Sequence, residues 1–244
     1  MKRIPWISLI MFSAHALGQI AIPAGTIIPV SLNSSLNSRK VKAGQVITAR
    51  VMQDVPLSPG STIHARAKLI SHVVEVKPAT GATGGRISLR FDTIVVSKQR
   101  ISITTNLRAM ASMMAVAEAQ IPETGPDRGT SSNAWTTDQI GGEVVYRGGG
   151  PVANGLRSVG EPTTQGVLVH VSSKPGTKCR GEIEGNNRLQ ALWVFSSDAC
   201  GAYDFPDLTI VHAGRTNPLG VITLASDKDD LNLRGGSGIL LRVN

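Results

Sequence analysis

Aromatic rings are scarce in this chain. Three Trp, two Tyr and four Phe supply only 4% of its 244 residues, so burial has to come from Val, Ile, Leu and Ala rather than from stacked rings. A bilayer-spanning run is missing too. The apolar stretch from Ile4 to Leu17 is interrupted by Pro5, Ser8 and His15, and it is shorter than the ~20 residues such a helix needs. His64, His72, His170 and His212 stand in no His-Glu-x-x-His or comparable spacing, so no metal site and no cofactor is expected. His64 and His72 are the one pair that a bent strand would bring together. Basic residues do not cluster. The 25 Lys and Arg outnumber the 17 Asp and Glu, for a net charge of +8, but they are scattered. Loose attraction to anionic envelope polymers is expected, and a specific nucleic-acid surface is not.

What is present at the N-terminus reads as an export address. Lys2 and Arg3 precede the short apolar run, which closes on Ala16-Leu17-Gly18. This is the pattern of a secretion signal spanning 1–18 and cleaved before Gln19. The mature chain is expected in the periplasm or outside the cell, with no transmembrane segment. Its only cysteines, Cys179 and Cys200, would meet an oxidising compartment there and pair as one disulfide. Closing a loop of that size stabilises a fold by about 3 kcal/mol in the chain-entropy picture.

Glycine and proline number 26 and 13, a composition of short strands and many turns. From Thr26 onward Ile28, Val30 and Leu32 alternate with Pro29, Ser31 and Asn33, which is strand periodicity. The clearest case is Arg86 to Asp92, where Ile87, Leu89 and Phe91 would be buried between solvated neighbours. Ala65, Ala67 and Leu69 alternate against His64, Arg66 and Lys68 in the same way. Turn signals at Lys42 to Gly44, Ser58 to Gly60 and Pro78 to Gly85 separate these runs. Leu107 to Gln120, rich in Ala and Met and free of Gly and Pro, is the best helix candidate. After it, Ile121 to Ala134 has the composition of a linker.

Short strands resume at Glu143 to Tyr146, Gly166 to Val171, Leu189 to Ser196, Leu208 to His212, Val221 to Leu224 and Gly238 to Val243. No crossover helices accompany them. Asp229 to Gly238 reads as a strand, a glycine turn and a closing strand. The expected fold is all-β: an antiparallel barrel or sandwich over 19–107, a short helix and linker over 108–134, and a second small antiparallel β domain over 135–244 carrying the disulfide.

The order Ile22-Pro23-Ala24-Gly25-Thr26-Ile27-Ile28-Pro29-Val30, then Val41 to Gly44, Val51 to Val55 and Pro59 to Thr62, resembles the TrbI-type β-barrel family of bacterial type IV secretion channels. The resemblance covers roughly Gln19 to Leu107 and implies a barrel that takes part in an envelope assembly. Where that family has an acidic, proline-containing turn, this chain has Leu36-Asn37-Ser38-Arg39-Lys40. Trp135 to Gly142 and Gln190 to Phe195 make the whole chain similar to secreted β proteins of acidobacterial type, a resemblance that brings no activity with it.

Few residues offer chemistry. A free-thiol reading takes Cys179 or Cys200 as nucleophile, His170 or His212 as base, and Arg180 or Arg215 to stabilise an oxyanion. His170, Ser173 and Cys179-Arg180 resemble the order found in L,D-transpeptidases, which implies a peptidoglycan-modifying enzyme. A disulfide removes both thiols from that role. Gly148-Gly149-Gly150 runs directly into Pro151 and opens no helix, so it is a loop rather than a phosphate cradle. Gly236-Ser237-Gly238 lacks the second glycine of a nucleophile elbow, since Ile239 stands there. Asp204, Asp207, Asp227, Asp229 and Asp230 group without the alternating frame of a calcium loop. Trp135 and Tyr146 are the candidate ligand-binding rings, Tyr203 is a further exposed-ring candidate, and Trp193, inside an apolar run, is expected in the core. The reading is an exported cell-envelope binding or assembly protein without catalytic activity, whose partner is an envelope protein or polysaccharide. A cysteine-dependent peptidoglycan-modifying enzyme and a carbohydrate-binding module are the alternatives.

Overall fold

A computed structural model describes residues 21–58, 60–121, 136–146, 150–171 and 188–244. The N-terminal part contributes β1 (Ile27–Leu32), β2 (Leu36–Asn37), β3 (Val46–Val51), β4 (Val55–Ser58), β5 (Ser61–Ile63), β6 (Lys68–Lys77), β7 (Arg86–Val96), β8 (Gln99–Ser102), β9 (Thr105–Ala111) and the helix α1 (Met113–Glu118). Next come β10 (Thr136–Asp138), β11 (Val144–Tyr146), β12 (Val152–Asn154), β13 (Arg157–Thr163), β14 (Gly166–Val169) and β15 (Gln190–Ala191). The chain ends with β16 (Gly201–Tyr203), β17 (Leu208–Ala213), β18 (Ile222–Ser226), β19 (Asn232–Leu233) and β20 (Gly238–Val243). The all-β expectation is met, and among the described residues no helix is long and apolar enough to cross a membrane.

The main sheet runs β16-β9-β20-β1-β3-β6-β7-β18-β17, with β8 added to β7. Every pairing in it is antiparallel except β9 with β16. The sheet curls without closing into a barrel. At one end β7 and β9 are tied together, as Thr105 Oγ1 donates to the Phe91 carbonyl at 3.1 Å and the Ile103 N–H to the Asp92 carbonyl at 2.9 Å. The alternation along β7 follows the sequence in part: Ile87, Leu89 and Phe91 are buried and Arg90 is exposed, but Ser88 is buried too, its hydroxyl bonded to that of Thr223 on the neighbouring β18 at 2.9 Å. With Val30, Leu69 and Leu241, the apolar trio Ile87, Leu89 and Phe91 forms the core inside the curl. Fully burying one such side chain is worth roughly 1.5–3 kcal/mol.

Three adjacent strands, β9, β20 and β1, form a wall buried on both faces. Ile28, Val30, Ile239 and Leu241 point into the main core, whereas Ile27, Leu240, Ala109 and Ala111 point the other way into a second core. That second core is roofed by a six-stranded antiparallel meander in chain order, β10 to β15, together with Val116 and Ala119 from α1 and its C-terminal end. Val145, Val152, Val167, Val169 and Phe195 supply its other side. Trp193 is buried there, as expected, at a positive φ of 55°.

The meander shares no ladder with the main sheet, so side chains make the join. Gln53 is 1% exposed. Its Nε2 donates to the Val167 carbonyl at 2.7 Å, and its Oε1 accepts from Val167 N–H at 3.2 Å and Trp193 N–H at 2.7 Å. A side chain on Gly166 would lie 2.3 Å from that Oε1, so only glycine admits this approach. Gln190 Oε1 accepts from Ile27 N–H at 3.0 Å, and Arg188 donates to the Leu57 carbonyl at 2.7 Å.

Three expectations are corrected. The boundary at 108–134 does not separate two β domains, because β16, β17, β18 and β20 from the 135–244 part are hydrogen-bonded members of the main sheet. Sheet edges left by the first half are completed by the chain's end, and a linker-like composition carries no information about that. The helix expected over Leu107 to Gln120 is confined to Met113–Glu118. Thr105–Ala111 is strand and buried at every position, since its place between β20 and β16 outweighs the helix preference of Ala and Met. Of Leu189 to Ser196 only Gln190–Ala191 is strand, and the chain then turns through Trp193, whose N–H is held by Gln53.

If Gln53 joins the two sheets, Gln53→Ala strands three buried backbone groups and is expected to lower unfolding free energy by about 3 kcal/mol in urea. Gln99→Ala on the exposed β8 is expected to change it by less than about 0.5 kcal/mol. Equal effects of the two would contradict the assignment.

Candidate functional site

Several residues nominated from the sequence are committed elsewhere. Cys200 is disulfide-bonded, and Cys179, the only other cysteine in the sequence, lies outside the described residues, as do Arg180, Ser173, Trp135 and the 1–18 segment. Tyr146 ends β11, and its side chain lies outside what is described. His64 and His72 are not brought onto a shared partner. His64 Nδ1 faces Asp54 at 3.4 Å and His72 Nδ1 faces Asp92 at 2.7 Å. Both ring nitrogens of His212 are occupied, Nδ1 against the Val221 carbonyl at 2.6 Å and Nε2 against the Thr216 hydroxyl at 3.0 Å. Ser237 is fully buried. Tyr203 is half-buried, and its hydroxyl accepts the Cys200 N–H at 3.1 Å. Asp207, Asp229 and Asp230 line one small pocket, yet among the described residues no group of three or more His, Cys, Asp or Glu is placed to hold a metal.

A buried charge sits behind the wall. In β9, Leu107 and Ala109 pair with the adjacent residues Leu241 and Leu240, so Arg108 is the extra residue of a β-bulge. The bulge aims its side chain at the second core, where the guanidinium donates to the Ser197 carbonyl at 2.8 Å. Burial pushes its pKa down to about 10, against the opposing pull of Asp198 and Tyr203, so it stays charged at neutral pH. The next step of the network is the carboxylate of Glu143, 1% exposed, which accepts the Ser197 N–H at 2.8 Å and the Ser197 hydroxyl. Asn154 bridges to Asp198 at 3.0 Å. The network is buried at Arg108, Glu143 and Ser197 and half-buried at Asn154 and Asp198, and it joins β9 to the meander. It is architecture.

The open site lies where β1 and β9 end and β20 begins. Between β1 and β3 the chain passes through β2, which pairs with β19 so that Leu36 faces Leu233 and Asn37 faces Asn232. Period-two alternation sends both leucines into the main core with Val41 and Leu231. The two asparagines are left to line a cleft of about 610 Å³. Around them stand the amides of Asn33 and Gln45, the hydroxyls of Ser34 and Ser35, and the cations Lys40 and Arg234. No carboxylate and no aromatic ring is among the lining residues. A typical ligand pocket of that size is mostly apolar, so the polarity here points to a hydrophilic ligand.

The rim is fixed before anything binds. The Ser38 N–H donates to the Leu231 carbonyl at 2.9 Å, and the Ser38 hydroxyl accepts the Leu231 N–H at 3.1 Å. On the other side the Gly236 N–H donates to the Leu32 carbonyl at 2.8 Å, and the Gly235 N–H to the Ser35 hydroxyl at 3.0 Å. Gly236 adopts a φ of 92°, and a Cβ there would lie 2.9 Å from Met113, so the Arg234 turn needs glycine. Asn37 Oδ1 accepts the Arg39 N–H at 3.0 Å, Gln45 Oε1 accepts the Lys42 N–H at 3.1 Å, and Asn33 Nδ2 donates to Thr48 at 2.8 Å. Each of these amides keeps one uncommitted end.

Charge is distributed unequally round the rim. Arg39 is paired with Asp230 at 2.7 Å. The Ala79 N–H above all holds the Asp230 carboxyl below its ordinary value, assisted by Ser38 and Arg39. Among the described residues no carboxylate pairs with Lys40 or Arg234. Sequence reasoning passed over this site. Its one visible signal is the neutral and basic run Asn37 to Lys40.

No protein-family model, curated protein or solved structure matches this chain. No residue's role is therefore carried over from a relative.

Asp230 titrates lower in the folded chain than in the unfolded one, so its contribution is complete above about pH 4 and fades as pH falls through the folded value. Urea unfolding is expected to show a stability gap between wild type and Asp230→Asn near neutral pH that narrows steadily below about pH 4. A gap unchanged down to about pH 2 would contradict the role given to Asp230.

Proposed function

We propose that this is an exported binding protein of the bacterial cell envelope, without catalytic activity, which holds a hydrophilic envelope polysaccharide in the cleft beside the β2–β19 ladder. The observation that carries the reading is the cleft itself: a preformed, polar recess whose amides and cations keep hydrogen-bonding capacity directed away from the core. Export is supported by the disulfide at Cys200, a bond that persists in oxidising compartments. The same bond weighs against the cysteine-dependent enzyme, as do the occupied ring nitrogens of His212. Binding through Trp135 or Tyr146 rests on side chains outside the described residues. The channel resemblance enters only as a likeness in strand order, because the main sheet stays open.

Cosedimentation of the purified mature protein with insoluble envelope polysaccharide tests the proposal. The wild-type chain is expected to be retained. Replacing the exposed Asn232, whose side chain has no hydrogen bond within the described chain, by leucine is expected to weaken retention by roughly fivefold, the loss of one polar contact, with the urea midpoint unchanged. No retention of the wild type, or equal retention of both proteins, would overturn it.

A further inference from the structure

We infer that the occupant of the cleft is an acidic saccharide, with Lys40 and Arg234 taking its anionic group and the flanking amides its ring hydroxyls. The inference rests on the proposed function and names the ligand class for the same site. Two observations lead to it. The first is the asymmetry of charge. Three cations stand at or in the cleft, yet among the described residues only Arg39 has a carboxylate, the Asp230 that Ser38 and Ala79 also hold. Lys40 follows immediately and is exposed, and Arg234, in the β19–β20 turn and also exposed, lines the same cleft. Two cations without counter-ions, in a recess lined by no acid, favour an anion, and the planar guanidinium fork suits a carboxylate or phosphate in particular.

The second observation is what surrounds the cations. Asn37 keeps its Nδ2, Gln45 its Nε2 and Asn33 its Oδ1, while the side chain of Asn232 has no hydrogen bond within the described chain. Amide donors and acceptors in the same recess as the cations match a ligand that carries several hydroxyls beside one negative group. A bare anion would leave these amides unused. An acidic peptide would need apolar pockets for its remaining side chains, and Met113 and the buried Val41 are the only apolar side chains in the lining. Single-stranded nucleic acid calls for stacking rings and a longer basic track, and the cleft has neither.

The arrangement explains why the floor is a two-residue ladder rather than a loop. Pairing Leu36 with Leu233 anchors both banks in the core, so the backbones that carry Lys40 and Arg234 are held at a set separation. Preorganisation of this sort lowers the cost of binding a small polar ligand.

Calorimetric titration of the mature protein with three probes of equal length tests the inference: oligogalacturonate, a neutral oligogalactan and oligoglutamate. Oligogalacturonate is expected to bind at least roughly tenfold more tightly than either of the others, with an affinity that falls as salt is added. Lys40→Ala and Arg234→Ala are each expected to lose roughly tenfold for oligogalacturonate and almost nothing for the neutral oligogalactan. Both residues are exposed, and unchanged urea midpoints will show that the variants fold. Equal binding of acidic and neutral sugars would overturn the charge pair while leaving the polysaccharide-binding proposal standing. Oligoglutamate binding as tightly as oligogalacturonate would overturn the saccharide assignment in favour of an acidic peptide. Failure of every sugar to bind, together with no cosedimentation, would remove both readings.

Discussion

The structure depends on the burial of β9, β20 and β1 from both sides. A strand ordinarily hides one face and wets the other. Here Ile27 and Ile28, neighbours in sequence, enter different cores, and the same is true of Leu240 and Leu241. Once three adjacent strands are apolar on both faces, neither the curled sheet nor the meander is complete without the other. Losing the meander would expose Ile27, Leu240, Ala109 and Ala111 to water. The first and last described strands are also direct partners, since β1 pairs with β20.

Such a wall creates a difficulty at its margins, where backbone groups meet no continuing ladder. The chain answers with side chains that imitate a strand. The Gln53 amide gives and accepts as a peptide group would, and the Gln190 Oε1 accepts the Ile27 N–H as a strand carbonyl would. Arg108 is the more costly device. A buried guanidinium is tolerated because Ser197 accepts from it and Asp198 and Tyr203 favour its charge. Where β1 and β9 end and β20 begins, the margin is left open to solvent, and there the short β2–β19 ladder turns its amides outward. The largely buried network and the open cleft are two outcomes of ending a double-faced wall.

Much of this was legible in the sequence, and the illegible part has a physical reason. Period-two alternation gives β20 at its observed bounds and the first part of β7, Arg86 to Asp92 of a strand that runs on to Val96, because one face of each repeats a large apolar residue at every second position. Trp193 was correctly assigned to the core from its apolar run. The same rule failed for Leu107 to Ala111, where burial on both faces removes the alternation and Ala and Met then look helical. The domain boundary failed because strand partners more than one hundred residues apart, such as Leu89 and Ile222, leave no local mark. The cleft was missed for a related reason. Asn37 and Asn232 become neighbours only through the ladder, and cations without partners leave no spacing motif of the kind that histidine, cysteine or acidic ligands do.

Native-state hydrogen exchange is the most direct test of the shared wall, because it reads the opening free energy of each strand separately. The account predicts that amides of β1, β9 and β20 and those of β12 to β14 exchange only through one common, global opening, with the same free energy and the same urea dependence. Exchange of β12 to β14 through a separate opening of much lower free energy, with β1, β9 and β20 still protected, would contradict it.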